Sequence, residues 1–140
     1  MANLNHSIII NSKPEKVFKA ITTEQGLKSW WTHDVKVDEV EKKYTFGFNN
    51  HRILFNMISL KEIQNEYVEW RCTGEIEEWK NTRLIFEISK IDPNSTLLRF
   101  THADWTKIDD LFSKCNTDWG HLMYFLKEFA EGKNERPFMS

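Results

Sequence analysis

Apolar residues between Thr106 and Glu131 recur at spacings of three and four: Ile108, Leu111, Phe112, Cys115, Trp119, Leu122, Leu126 and Phe129. That period lays one apolar stripe along a helix, with Asp110, Lys114, His121, Lys127, Glu128 and Glu131 on its other faces. At about 1.5 Å per residue the helix reaches roughly 35 Å. Thr106 with Asp109 resembles a capping box with a shortened acid, and Gly132 stands where such a helix stops. The run Cys115-Asn116-Thr117-Asp118 consists of weak helix formers. A short helix followed by a longer one, restarted at Thr117 or Asp118, is therefore the alternative.

Upstream the period falls to two. Leu4 to Asn11 alternates as a strand, with His6, Ile8 and Ile10 on one face. Ser12-Lys13-Pro14-Glu15 has the composition of a helix start, with Ser12 as N-cap and Val17, Phe18 and Ile21 as the apolar face. Thr23 to Ser29 reads as a second short helix that runs into Trp30-Trp31. Adjacent side chains point apart, so one indole is expected in the core and the other at a mouth or surface. Strand patterns follow: a weak one at Val35, Val37 and Val40, a clear one at Tyr44, Phe46 and Phe48, and a longer one from Arg52 to Leu60 after an Asn49-Asn50 turn. Val68, Trp70 and Cys72 share a face, as do Leu84, Phe86 and Ile88, and then Leu98, Phe100 and His102. Gly74 to Trp79 is charged and reads as a strand or a wide connection, and Asp92-Pro93-Asn94-Ser95 as a turn. The order is a strand, two short helices, a meander of strands and one long helix. Meandering strands pair antiparallel, and the late helix must cover one face of the sheet. The fold class is α+β.

Composition narrows the function. The chain has 140 residues and reads as a single domain over 1–140, with 19 basic residues against 21 acidic and no long block of either sign. Nucleic-acid binding therefore gains no electrostatic support. No apolar run is long enough to span a bilayer and no basic-then-apolar leader opens the chain, so a soluble, cytoplasmic protein is expected. Cys72 and Cys115 are too few and too far apart for a disulfide framework or a zinc cluster. The histidines His6, His33, His51, His102 and His121 lack metal-ligand spacing, and no phosphate-binding or dinucleotide loop is present, so no metal and no cofactor are expected. Six tryptophans and ten phenylalanines are many for this length, and such rings either fill a core or wall a ligand cavity.

Four stretches carry a resemblance. They are Ser12 to Trp31, Val68-Glu69-Trp70, Thr96 to Trp105 with its Phe100-Thr101-His102, and Trp119-Gly120-His121-Leu122 leading to Glu131-Gly132. Together, and in this order, they resemble the START-like or Bet v 1-like (SRPBCC) superfamily, and within it the branch related to the activator of Hsp90 ATPase. The resemblance implies a helix-grip fold, a curved antiparallel sheet wrapped around the long C-terminal helix, with two short helices after the first strand. It also implies a cavity between sheet and helix. On this chain the walls would be Phe46, Phe48, Phe55, Met57, Trp70, Phe86, Phe100 and His102 from the strands, Trp119, Met123 and Leu126 from the helix, and Trp30 and Trp31 at the mouth. Plant members carry a glycine-rich loop where this chain has Thr45-Phe46-Gly47-Phe48-Asn49-Asn50, so functions tied to that loop do not transfer.

The expected function is binding of an apolar or amphipathic small molecule in that cavity, without catalysis. Two alternatives come with the resemblance: a module acting on an Hsp90-type chaperone, and an enzyme of the polyketide cyclase or dehydratase kind. The best catalytic candidate is His102, whose alternation with Leu98 and Phe100 turns it inward, where an imidazole can act as acid or base or simply hydrogen-bond a neighbouring strand or the long helix; His6 is a weaker candidate of the same kind. Asp104 is the residue placed to orient it. Arg52, Arg71, Arg83 and Arg99 read as solvated faces, and Gly120 inside a helix suggests close approach of the sheet or a ligand.

Overall fold

The computed structural model describes residues 1–139. Its order is β1 (Ala2–Ile10), α1 (Pro14–Thr22), α2 (Glu24–Trp30), β2 (Asp34–Asp38), β3 (Lys43–Phe48), β4 (Ile53–Ile63), β5 (Tyr67–Thr73), β6 (Arg83–Asp92), β7 (Ser95–Trp105) and α3 (Asp110–Ala130). The seven strands form one antiparallel sheet in the order β1-β7-β6-β5-β4-β3-β2. Only the first strand breaks sequence order, because the two short helices carry the chain from one edge of the sheet to the other. This is the α+β helix-grip fold that the period of the sequence and its resemblance imply.

Register places the apolar phase of each strand on the face toward α3. Phe86 pairs with Phe100 and Val68, Leu84 with His102 and Trp70, and Phe46 with Phe55 and Val35. Leu84, Phe86, Leu98 and Phe100 are all buried. The opposite phase carries Glu69, Arg71, Arg83, Glu87 and Arg99 toward solvent. Arg83 is more than a solvated side chain there, because its guanidinium donates to Asp104 at 2.6 Å and to Glu69 at 3.1 Å.

The helices begin at other caps than the composition suggests. Lys13 precedes α1 without any side-chain cap, and Pro14 sits at its first turn. Ser12 is buried instead, its carbonyl accepting the Thr96 hydroxyl at 2.7 Å, so it ties the β1–α1 corner to β7. Thr23 caps α2 by accepting from the Gly26 N–H at 3.0 Å. Gly26 is required there: a Cβ would lie 2.7 Å from the Ala20 Cα, inside the preceding helix. For α3 the cap is Asp109, which accepts from the Phe112 N–H, and not Thr106.

α3 runs unbroken for 21 residues through Cys115 to Asp118. Cys115, Trp119, Leu122, Met123, Leu126 and Ala130 are buried against the sheet and the short helices. Burial of that stripe outweighs the weak propensities of Asn116 and Thr117, as is usual for helices in proteins. Lys114 and Asp118 add an i,i+4 ion pair at 2.7 Å. Gly120 answers no close approach, since the nearest atom to an added Cβ is the His6 Cε1 at an ordinary 3.7 Å.

Beyond α3 the chain doubles back. The Phe138 and Met139 N–H groups donate to the Trp30 and Trp31 carbonyls at 3.0 and 2.9 Å, and Met139 bridges to Thr32. The Phe138 ring lies parallel to His121, 5.2 Å away, and tilted on Phe125.

Candidate functional site

The space between sheet and helix is occupied by rings. Trp31 lies 4.2 Å from Phe46, Phe100 4.2 Å from Trp119, Tyr44 4.5 Å from Trp70, and Phe86 4.9 Å from Phe100. Eleven of the thirteen side chains expected to wall a cavity are buried in this packing: Trp30, Trp31, Phe46, Met57, Trp70, Phe86, Phe100, His102, Trp119, Met123 and Leu126. Both indoles of the Trp30-Trp31 pair are inside, stacked at 5.6 Å. The divergence expected of neighbours fails because Trp31 leaves the helix at its C-cap, and the Trp30 N–H then reaches the Ala20 carbonyl at 2.8 Å.

His102 is fully buried and bonded on both ring nitrogens within the protein. The Trp119 indole N–H donates to Nδ1 at 3.1 Å, and Nε2 lies 2.9 Å from the Thr82 hydroxyl. That hydroxyl donates onward to the Trp79 carbonyl at 2.5 Å. Burial depresses the pKa of His102 to about 3, only weakly opposed by the charge of Asp104. Asp104 does not orient it. With φ at 71° the β7 backbone turns that carboxylate outward to Arg83, whose hydrogen bond holds it below the usual carboxylate range.

Open space lies at the mouth of the grip. A cleft of about 760 Å³ is bounded by Phe48, Asn49, Ile53 and Phe55 from the β3–β4 hairpin and by Ile76, Glu78 and Trp79 from the β5–β6 connection. Leu111, Lys114, Cys115 and Asp118 from the first half of α3 and Phe138 and Met139 from the tail complete it. Phe48 and Phe55 are thus the two expected wall residues that line this cleft, and they meet edge to face at 5.5 Å. Trp79 forms the floor, 4.4 Å from Phe55 and 4.6 Å from His102, so it screens the imidazole from the cleft. A second recess of about 400 Å³, lined among others by Glu77, Thr82, Trp105 and Asp109, shares Glu78 and Leu111 with the first.

The cleft is apolar within and polar at its rim. Lys114 and Asp118 neutralise each other there. Burial pushes the Cys115 thiol above its ordinary pKa, so it faces the cleft as an uncharged group and not as a thiolate. Among the described residues no group of three or more His, Cys, Asp or Glu side chains could hold a metal ion. Among the same residues no helix is long and apolar enough to cross a membrane.

Trp79, Leu111, Phe138 and Met139 were not among the expected wall residues. Leu111 belonged to the helical stripe, and Trp79 ended a stretch too charged to read as a wall. The one signal for the tail is the apolar pair Phe138-Met139 after the polar run Lys133 to Arg136.

The family profile described as Activator of Hsp90 ATPase homolog 1-like protein matches residues 11–131. The chain is similar to the Aha1 dimer from Colwellia psychrerythraea, solved in solution, at 35% identity, a TM-score of 0.83, and coverage of 95% of this chain and 98% of that one. It also superposes on XoxI from Bacillus cereus at 14% identity and a TM-score of 0.75, covering 92% of this chain and 95% of that one. CalU16 from Micromonospora echinospora aligns at 16% identity and a TM-score of 0.73, over 91% of this chain and 75% of that one. The last two likenesses bear on the fold alone. No curated protein matches. A profile spanning most of the sequence, and a relative aligned over nearly its whole length, place the chain in the family of Activator of Hsp90 ATPase homolog 1-like proteins.

Proposed function

We propose that the protein binds an apolar or amphipathic small molecule in the cleft between the β3–β4 hairpin, the β5–β6 connection and the first half of α3. The observation that carries this reading is an open volume of about 760 Å³ walled mainly by Phe48, Phe55, Trp79, Leu111, Phe138 and Met139. That volume is in the range of small-molecule sites, and the wall is of the kind that takes an apolar body while a few polar groups hold its other end. Solvent-facing aromatic surface of this sort is otherwise unfavourable to leave in water. The ligand sits at the mouth of the grip rather than deep between sheet and helix, where rings already fill the space. Nothing in the reading requires turnover, and His102 serves the fold.

An environment-sensitive apolar dye, titrated while tryptophan emission is followed, tests it. Saturable binding is expected, and Leu111→Asp should weaken it roughly tenfold by placing a carboxylate in the wall. An acid in the first turn of α3 suits the helix dipole, so that variant should fold normally. Saturable binding unaffected by Leu111→Asp would move the site elsewhere.

A second reading is favoured by the 35% identity to a protein named Aha1. In it the same cleft receives apolar side chains of an Hsp90-type chaperone, whose ATPase the module would tune. Steady-state hydrolysis by such a chaperone, with and without this protein, decides it. An unchanged rate at saturating concentration removes the reading.

A further inference from the structure

The charge at the rim of the cleft is uneven. Lys114 and Asp118 are joined at 2.7 Å and cancel, and the Cys115 thiol is uncharged. That leaves Glu78 as the one ionised side chain lining the cleft that has no ion-pair or hydrogen-bond partner among the described residues. It stands beside Trp79 and lies at the junction of the cleft with the second recess. Besides Glu78, that recess is lined by the acids Glu77, Asp104 and Asp109 and by Lys80 and Lys107, with Arg83 on Asp104, so no cation excess offsets Glu78.

We infer that the cleft selects cationic amphiphiles, taking the apolar chain against Phe55 and Trp79 and the positive head beside Glu78. The inference rests on the small-molecule reading above and specifies its ligand. An unpaired carboxylate beside an apolar wall attracts a cation more strongly than one surrounded by water, because part of the intervening medium has a low dielectric constant. An adjacent indole adds attraction for an ammonium group over its face. An anionic head in the same place meets the carboxylate unscreened, with Lys114 already engaged by Asp118.

The test uses amphiphiles that share a decyl chain and differ in the head: decyltrimethylammonium, decyl maltoside and decyl sulfate. Each is titrated below its micelle concentration against the tryptophan emission of the protein and of Glu78→Gln, in low and in high salt, with circular dichroism reporting that the fold persists. The cation is expected to bind roughly five-fold tighter than the neutral amphiphile in low salt, with decyl sulfate weakest. The preference should shrink in high salt and vanish in Glu78→Gln, while decyl maltoside binds the variant as it binds the original protein. Equal affinities for the three heads, or a preference that survives Glu78→Gln, would overturn the inference and leave the cleft reading standing. Saturable binding of none of them would overturn both.

Discussion

Trp119 can only donate through its indole nitrogen, so Nδ1 of His102 must accept, and the single proton of the neutral ring sits on Nε2 and points at Thr82. The Thr82 hydroxyl then spends its own proton on the Trp79 carbonyl. His102 thereby joins β7, α3 and the β5–β6 connection through one fixed tautomer. His102→Ala would strand the Trp119 and Thr82 polar groups and open a void, at a cost of about 3 kcal/mol. In thermal unfolding near pH 7 that is a fall of roughly 10 °C. The same substitution alters the pH profile. The native ring titrates near 3 and the unfolded ring near 6.5, so between those values only the unfolded chain takes up the proton. Stability conferred by the neutral ring is complete above the unfolded value and is lost as pH falls, at about 1.4 kcal/mol per pH unit. His102→Ala should lack that slope between pH 6.5 and 4.5, as urea unfolding across the range would show. A variant as stable as the original protein would contradict the structural role. Alternation with Leu98 and Phe100 was enough to turn His102 inward from sequence alone. Its partners could not be read, because Thr82 and Trp119 lie 20 and 17 residues away and meet it only in the folded sheet.

Among the elements, α3 is held at both ends. Asp109 caps its start, and Glu131 at its end accepts from the Asn11 N–H at 2.7 Å and from Lys127 at 2.5 Å, with Lys133 at 3.1 Å. Glu131 therefore pins the helix to the β1–α1 corner. Burial pushes its carboxyl up, but the hydrogen bonds from Lys127 and the Asn11 backbone, with the neighbouring Lys133 ammonium, outweigh that and bring it down to about 2. The sign is that of a depressed acid: the stabilisation is present above the ordinary value of 4.5 and is lost as pH falls toward 2. Glu131→Gln should cost about 2 kcal/mol at neutral pH and make unfolding less steeply acid-dependent below pH 4.5. Equal acid slopes in guanidinium melts of the two proteins would contradict this. The extent of α3 was legible because its stripe keeps one period across more than five turns. Its cap was not, since Thr106 and Asp109 both satisfy the local pattern and only the path out of β7 decides between them. Likewise Ser12 has the composition of a cap, yet the buried corner at Thr96 claims it.

For the molecule as a whole, the same large side chains either enclose a cavity or fill it, and the sequence contains no measure of which. Ring size and curvature decide together, and here five buried tryptophans close the interior and leave the opening at the mouth, over Trp79. Phe48 and Phe55, expected in a wall between sheet and helix, instead border the opening, because the β3–β4 hairpin forms its rim. Phe138 and Met139 were not legible as cleft residues, because a tail without a period gives no hint of where it docks. The tail's hold on the α2 end is local, so Phe138→Ala should speed amide exchange at Phe138 and Met139 roughly tenfold, matching a loss of about 1.4 kcal/mol. Exchange in β6 and β7 should stay as it was. Acceleration spread through those strands would instead make the tail part of the global fold.

The indoles also form an optical device. Trp30 lies 5.6 Å from Trp31, Trp31 5.1 Å from Trp119, and Trp119 6.1 Å from Trp79, the floor of the cleft. Rings this close exchange excitation energy, so light absorbed deep in the interior migrates along the relay and can be emitted or quenched at its end. A molecule that quenches Trp79 alone therefore dims tryptophans it never meets, and the protein carries its own antenna for such a molecule.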